Sequence, residues 1–224
     1  MMRGVPHPVV VVTACKDVDW PFPKEFTSTN KLSPYYTSFC GATISSFTSV
    51  TLGPPPVISF NLRTPSRTLR GILKHKQFRI NMLKADGHGA AIAQAFISGN
   101  HEDAFAKVAR GGHWVELGMN TSARDPLAYS QVPPPLLRGC GIRGYLLCRS
   151  LPEKFVDVGD HVVIIAEVLD VFPSFTEKVN WNQLSPEQQD RYLQEIAKDD
   201  SGLVYCERKY TKISEPIKPI SFTR

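Results

Sequence analysis

Five short runs of β-branched and apolar residues set the class of fold open to this chain: Val9-Val-Val-Val-Thr13, Val57-Ile-Ser-Phe-Asn-Leu62, Phe78-Arg-Ile-Asn-Met-Leu83, Gly144-Tyr-Leu-Leu-Cys148 and His161 to Val171. Each is bounded by Gly, Pro or charge, and each reads as a strand. In the third, Arg79, Asn81 and Leu83 alternate with Phe78, Ile80 and Met82, which predicts one wetter face. Val162 to Ala166 is apolar on both faces, as a central strand is. Many strands with few helices between them point to a mainly β chain curled into a barrel.

Two helices announce themselves. Ser185-Pro186-Glu187-Gln188 combines an N-cap serine, a proline at the first helical position and a glutamine three residues on from the cap. Leu193, Ile196 and Ala197 then supply an apolar stripe, so that helix is expected to run to about Lys198. A shorter one starts at Ser66, with Leu69, Ile72 and Leu73 on one side and Arg67, Arg70 and Lys74 elsewhere. At 224 residues the chain fits one domain, with loops or insertions near 16–38, 100–135 and 173–201.

Composition narrows the class of function. A hydrophobic fraction of 42% is enough for a core and excludes disorder of the whole chain. The net charge of +5 favours an anionic partner: nucleic acid, lipid or a phosphorylated cofactor. Cys15, Cys40, Cys140, Cys148 and Cys206 are odd in number and widely spaced, which argues against both a disulfide framework and a zinc site and fits a reduced compartment. No run approaches the ~20 apolar residues of a membrane span, so a cytoplasmic protein is expected. Because the sequence opens almost directly on a strand-like run, an upstream targeting segment remains compatible with it.

Two patches carry chemistry. Between Cys40 and Pro56 the small and hydroxyl residues Thr43, Ser45, Ser46, Thr48 and Ser49 crowd together, able either to offer amide and hydroxyl donors to a polar ring or phosphate or simply to form a Ser/Thr-rich turn. In Asn61-Leu-Arg-Thr-Pro-Ser-Arg-Thr68 a strand gives way to the Ser66 helix. Helix-start N–H groups, hydroxyls and arginines gather there, as a phosphate monoester requires and as an ordinary capped basic helix also shows.

Taken together, Gly41-Ala-Thr-Ile-Ser-Ser-Phe-Thr-Ser-Val50, the following prolines, a strand, and then Arg63-Thr-Pro-Ser66-Arg-Thr68 resemble the flavin reductase-like, FMN-binding split-barrel family. Arg3 to Thr13 is similar to that family's first strand, Phe78-Arg-Ile-Asn81 to a core strand, Gly159-Asp-His161 to its Gly-Asp-His block, and Leu203-Val-Tyr205 with Tyr210 to its closing aromatic segment. Cys206-Glu-Arg-Lys209 departs from the family pattern, where a glycine is usual before the last tyrosine.

The resemblance implies a Greek-key split β-barrel with a few short helices and a C-terminal helical insertion, pairing as a homodimer. It implies that Thr43, Ile44, Ser45 and Ser46, with Ser49, line a flavin; that Arg63, Ser66 and Thr68 hold its phosphate beside Asn61 and Asn81; and that His161 lies on the nicotinamide side. The implied reaction is hydride transfer from NADH or NADPH to FMN or FAD, with reduced flavin passed to a partner monooxygenase or used on a small organic acceptor. Such chemistry belongs to the cofactors and needs no catalytic dyad and no metal. The chain has no Gly-x-Gly-x-x-Gly, so the pyridine nucleotide is expected in an open groove. Basic residues from Arg67 to Arg79 are available to attract phosphates. Two alternatives stay open: a flavin-binding protein without turnover, and a basic β-barrel for nucleic acid, which needs aromatics interleaved with cations on a surface.

Overall fold

The computed structural model describes residues 5–17, 38–97, 104–111, 114–117, 134–173 and 201–212. The five expected strands all form, as β2 (Val10–Cys15), β5 (Val57–Arg63), β6 (Gln77–Leu83), β9 (Ile142–Ser150) and β11 (His161–Pro173). The hydroxyl-rich block also becomes strand, β3 (Phe39–Ile44) and β4 (Thr48–Thr51), separated by a short bend at residues 45–47. These seven make one antiparallel sheet in the order β3-β2-β6-β9-β11-β5-β4, and β10 (Val156–Val158) pairs with β11 beside it. Its two outer strands are consecutive in the chain, so the sheet curls until the residue 45–47 turn spans the gap between its edges. The mainly β, curled-sheet expectation is met.

Alternation along each strand builds the interior. Val10, Val12 and Ala14, Ile58, Phe60 and Leu62, Phe78 and Ile80, Leu146 and Cys148, and Val162, Ile164 and Ala166 point to the same core. Phe60 and Phe78 meet edge to face at 5.5 Å, worth about 1 kcal/mol beyond the area they bury. Helix α1 (Arg67–His75) closes one end with Leu69 and Ile72, and its Gly71 lies so close to β2 that a Cβ there would overlap the Cys15 carbonyl oxygen.

One half of the sheet's outer face is covered and the other is open. Helices α2 (Gly87–Phe96) and α3 (Ala104–Arg110), with β8 (Pro135–Arg138), lie over Val11, Cys15, Phe39 and Leu83 in a second apolar cluster. Strand β7 (Trp114–Leu117) pairs with β8, while β1 (His7–Pro8), β12 (Leu203–Cys206) and β13 (Lys209–Lys212) form a small separate sheet. Regular structure thus occupies part of the region expected to be loop or insertion at 100–135. The helix expected at 185–198, and with it the C-terminal insertion, falls outside the described residues.

Strand β6 corrects one expectation. Arg79 and Asn81, taken as a wetter face, are 2% and 0% exposed. Their partners explain it: Arg79 donates to the Pro134 carbonyl at 2.9 Å and lies over the Tyr145 ring, and the Asn81 amide bridges Val11 O, Thr13 Oγ1 and Leu137 N. These polar groups are the adhesive that docks β8 onto the sheet, and alternation alone cannot separate them from a solvated face. Strand β11 is central, as expected, but only its inner side is fully buried; Val163 and Ile165 on the outer side are half-covered.

Candidate functional site

The open half of the outer face runs across β5, β11 and β10. With Ile58, Phe60 and Leu62 turned inward, Ser59, Asn61 and Arg63 face outward, and the ladder sets Asn61 opposite Val163 and Arg63 opposite His161. Val158 pairs with His161 on the other side. The connection between β10 and β11 is only Gly159 and Asp160, and Gly159 takes a φ of 59°, the sign that a two-residue hairpin wants at its first central position.

At the gap between the sheet's edges, Phe47 packs against the core and anchors the turn, while Ser45 is exposed. Pairing between β4 and β5 stops at Thr48 and Ser59, which leaves the next outward-facing amide of β5, that of Asn61, without a strand partner. The Ser46 hydroxyl accepts it at 2.8 Å. This bond joins the hydroxyl-rich turn to the phosphate-type patch: Arg63 is two residues farther along the same face, about 7 Å at the strand's rise, and Ser66 caps α1 just beyond. The Ser66 Oγ accepts from Leu69 N–H at 3.1 Å, the ordinary capping bond.

Asp160 completes the group. Its Oδ2 accepts from Arg63 Nε at 2.9 Å, its Oδ1 lies 2.7 Å from His161 Nδ1, and its backbone carbonyl takes both the N–H and the hydroxyl of Thr64. The His161 hydrogen bond and charge, and after them the charge and hydrogen bond of Arg63, hold the Asp160 carboxyl below its ordinary value.

The residues singled out in the sequence therefore separate into two sets. Ser45, Ser46, Asn61, Arg63, Ser66 and His161 share this open face and its rim. The other five do not present their side chains to it. The Thr43 hydroxyl donates to Ala93 O of α2 at 2.6 Å, Ile44 belongs to the core, and Asn81 is sealed beneath β8. Ser49 pairs with inward-pointing Ile58, which puts it on the opposite face of β4 from Thr48. Thr68 is 1% exposed and lies against the Cys40 thiol, because the side of α1 that carries it is the packed one. Arg79, counted among the phosphate-attracting cations, is likewise interior. Asp160, quoted in the Gly159-Asp-His161 block but not singled out as a site residue, is the one that the sequence reasoning missed.

The three buried thiols are poor nucleophiles: burial pushes Cys40 up to about 12 and raises Cys15 and Cys148 as well. Among the described residues no group of three or more His, Cys, Asp or Glu is arranged to hold a metal ion. The nucleic-acid reading loses its aromatics, since Phe60 and Phe78 are fully buried and Phe47 packs on the core.

The model of the family described as flavin reductase like domain matches residues 2–214. The chain belongs to that family. Solved structures of similar fold agree with the assignment. Component B of nitrilotriacetate monooxygenase from Mycobacterium thermoresistibile superposes with a TM-score of 0.60 at 16% identity, covering 99% of this chain and 88% of that one. The flavin reductase HpaC complexed with NADP+ gives 0.57 at 19% identity, covering 95% and 93%. An NADH:FAD oxidoreductase from Streptomyces globisporus, in complex with NAD and FAD fragments, gives 0.56 at 17%, covering 95% and 88%. As a flavin reductase-like domain, the chain has a donor set on its open face that suits a flavin phosphate ester. That set consists of a guanidinium, a helix start and a turn of small hydroxyl residues.

Proposed function

We propose that the protein is an NAD(P)H-dependent flavin reductase whose cleft lies on the open outer face between the residue 45–47 turn and the β10–β11 hairpin. The observation that carries this reading is the Ser46–Asn61 bond, which sets the hydroxyl-rich turn and the Arg63–Ser66 patch along one strand. Arg63, with its Nε held by Asp160, keeps its two Nη groups for a phosphate, and the start of α1 adds its dipole. Ser45 and Ser46 offer hydroxyls to the ring without bulk to obstruct it. His161 stands on the hairpin side, where it orients the nicotinamide. A bound flavin supplies the hydride acceptor, FMN being the first choice and FAD the second. Alignment of two rings in such a groove is worth ~7–11 kcal/mol of barrier, so no acid–base pair is demanded.

Support for the pyridine nucleotide and the flavin comes from the similar structures, one holding NADP+ and another NAD and FAD fragments. Handing reduced flavin to a partner monooxygenase follows the component B resemblance. Around the cleft Val50, Leu52, Val156 and Val158 are more than half exposed, an apolar rim that a second copy of the chain would cover in a homodimer. No helix among the described residues is long and apolar enough to cross a membrane, and a cytoplasmic location accords with this.

Steady-state oxidation of NADH and of NADPH, with and without added FMN or FAD, tests the reading. Oxidation that rises with added flavin supports it. Oxidation indifferent to flavin contradicts it.

A further inference from the structure

We propose that the outward flank of α1, from Arg70 to Leu73, is a subsite for the adenosine phosphate half of a dinucleotide, brought either by FAD or by NAD(P)H. The proposal rests on the reading of the neighbouring phosphate site given above and goes beyond it, since FMN has no such half.

Helical periodicity sets the flank. Thr68, Leu69, Gly71 and Ile72 are buried on the packed side of α1, which leaves Ser66, Arg70 and Leu73, at i, i+4 and i+7, in one row on the other side. Arg70 is exposed, and Leu73 is 38% exposed although it is apolar. Side chains on a helix lean toward its N-terminus, so Arg70 leans back toward the Ser66 end. From Ser66 to Leu73 the row runs roughly 10 Å at 1.5 Å per residue. A second phosphate, a ribose and a base attached to a phosphate at Ser66 can lie along it. Other exits are closed: Asp160 holds Arg63 on the hairpin side, and Leu69 and Ile72 belong to the core.

Charge on this flank runs against what an unliganded helix prefers. The positive end of the dipole favours acids in the first turn and disfavours cations. Here the first turn holds no acid, Arg67 opens it, Arg70 follows one turn later, and the chain carries no acidic residue between Val57 and Ala85. Asp17 pairs at 3.3 Å with Lys74, toward the other end of the helix. Cations gathered at the positive end are a local cost that a bound anion turns into a gain, and a local rule broken in this way marks a functional surface. Beside the charge, the planar Arg70 guanidinium and the Leu73 side chain offer a stacking partner and apolar area to a flat base.

Calorimetric titration of the FMN-loaded protein with 5′-AMP, against inorganic phosphate as control, reads the subsite directly. AMP is expected to bind about tenfold more tightly than phosphate. Arg70→Ala should weaken AMP about tenfold and Leu73→Ser about threefold, with the Kd for FMN within about twofold of wild type in both. Both side chains are exposed, so both variants should fold, and the Tm of Arg70→Ala without ligand should not fall because a cation has left the positive end of the dipole. Two further arms identify the source of the adenosine phosphate. If it is FAD, Arg70→Ala lowers the ratio of FAD to FMN affinity and leaves the KM for NADH and NADPH alone; if it is the pyridine nucleotide, that KM rises about fivefold and the ratio holds. AMP that binds no better than phosphate overturns the proposal, as does AMP binding that survives in both variants or a variant in which neither arm moves. Equal losses of AMP and FMN would make Arg70 part of the flavin phosphate site and overturn it too. If wild-type protein binds no flavin at all, the site reading fails first and the proposal falls with it; if it binds FMN but not AMP, the proposal alone fails.

Discussion

Arg63 and His161 face each other across the β5–β11 ladder and share the carboxylate of Asp160, at 2.9 Å from Arg63 Nε and 2.7 Å from His161 Nδ1. In the proposed cleft, the phosphate half and the nicotinamide half thus meet at a single residue pair. They meet at the end of a strand whose inner side, with Phe60 and Leu62, is locked into the core. The precision of the site is inherited from the sheet, and the exposed side chains only finish it.

Removing the guanidinium should separate ligands by their phosphate. Arg63→Ala is expected to weaken FMN about tenfold and riboflavin hardly at all, since a charge-assisted bond at an exposed site is worth about 1.5 kcal/mol. Equilibrium titration of the variant with both flavins checks this. Equal losses would move the phosphate elsewhere.

Acid should dissolve the cluster later than it protonates an ordinary aspartate. The folded Asp160 carboxyl lies below its usual 3.8, through the hydrogen bond and charge of His161 first and those of Arg63 after them. Its contribution to the folded state is complete above the usual value and disappears as pH falls through the lowered one. Carboxyl-carbon NMR titration should give a midpoint under 3.8 in the wild type, returning toward it more in His161→Ala than in Arg63→Ala.

Asn81 should behave as part of the framework and not as a ligand contact. Asn81→Ala strips partners from Thr13 Oγ1, Val11 O and Leu137 N beneath β8, at about 1–3 kcal/mol for buried polar groups left unpaired. Denaturant unfolding should show that loss, while the flavin affinity of the protein that remains folded is unchanged. A variant of full stability with impaired flavin binding would reverse the assignment.

How far the sequence could be read depends on which physical signal each residue carries. The five strands β2, β5, β6, β9 and β11 were legible because β-branched runs between Gly and Pro have few other uses, and α1 because Ser66 and its apolar stripe agree. Helix α2 was missed: Asp86 caps it, but glycines at 87 and 89 dilute the helical signal, and Gly89 is there because the backbone of Lys84 lies against it. In the site, Arg63, Ser66 and His161 stood out by type and spacing. What sequence could not supply was side: Thr43, Thr68 and Asn81 are as polar as their neighbours. Only packing reveals that α2 and β8 cover Thr43 and Asn81 and that Thr68 lies on the packed side of α1. Asp160 escaped notice for the converse reason, since a lone acid on an exposed turn acquires meaning only when an arginine and a histidine from different strands are seen to converge on it.

The most direct measurement is an anaerobic titration of the FMN-loaded protein with NADH and with NADPH, following the visible absorbance of the flavin. Loss of the yellow band in proportion to one of the two nucleotides is the expected result. Protein that retains no flavin, or flavin that stays oxidised under excess of both nucleotides, would contradict the proposed function.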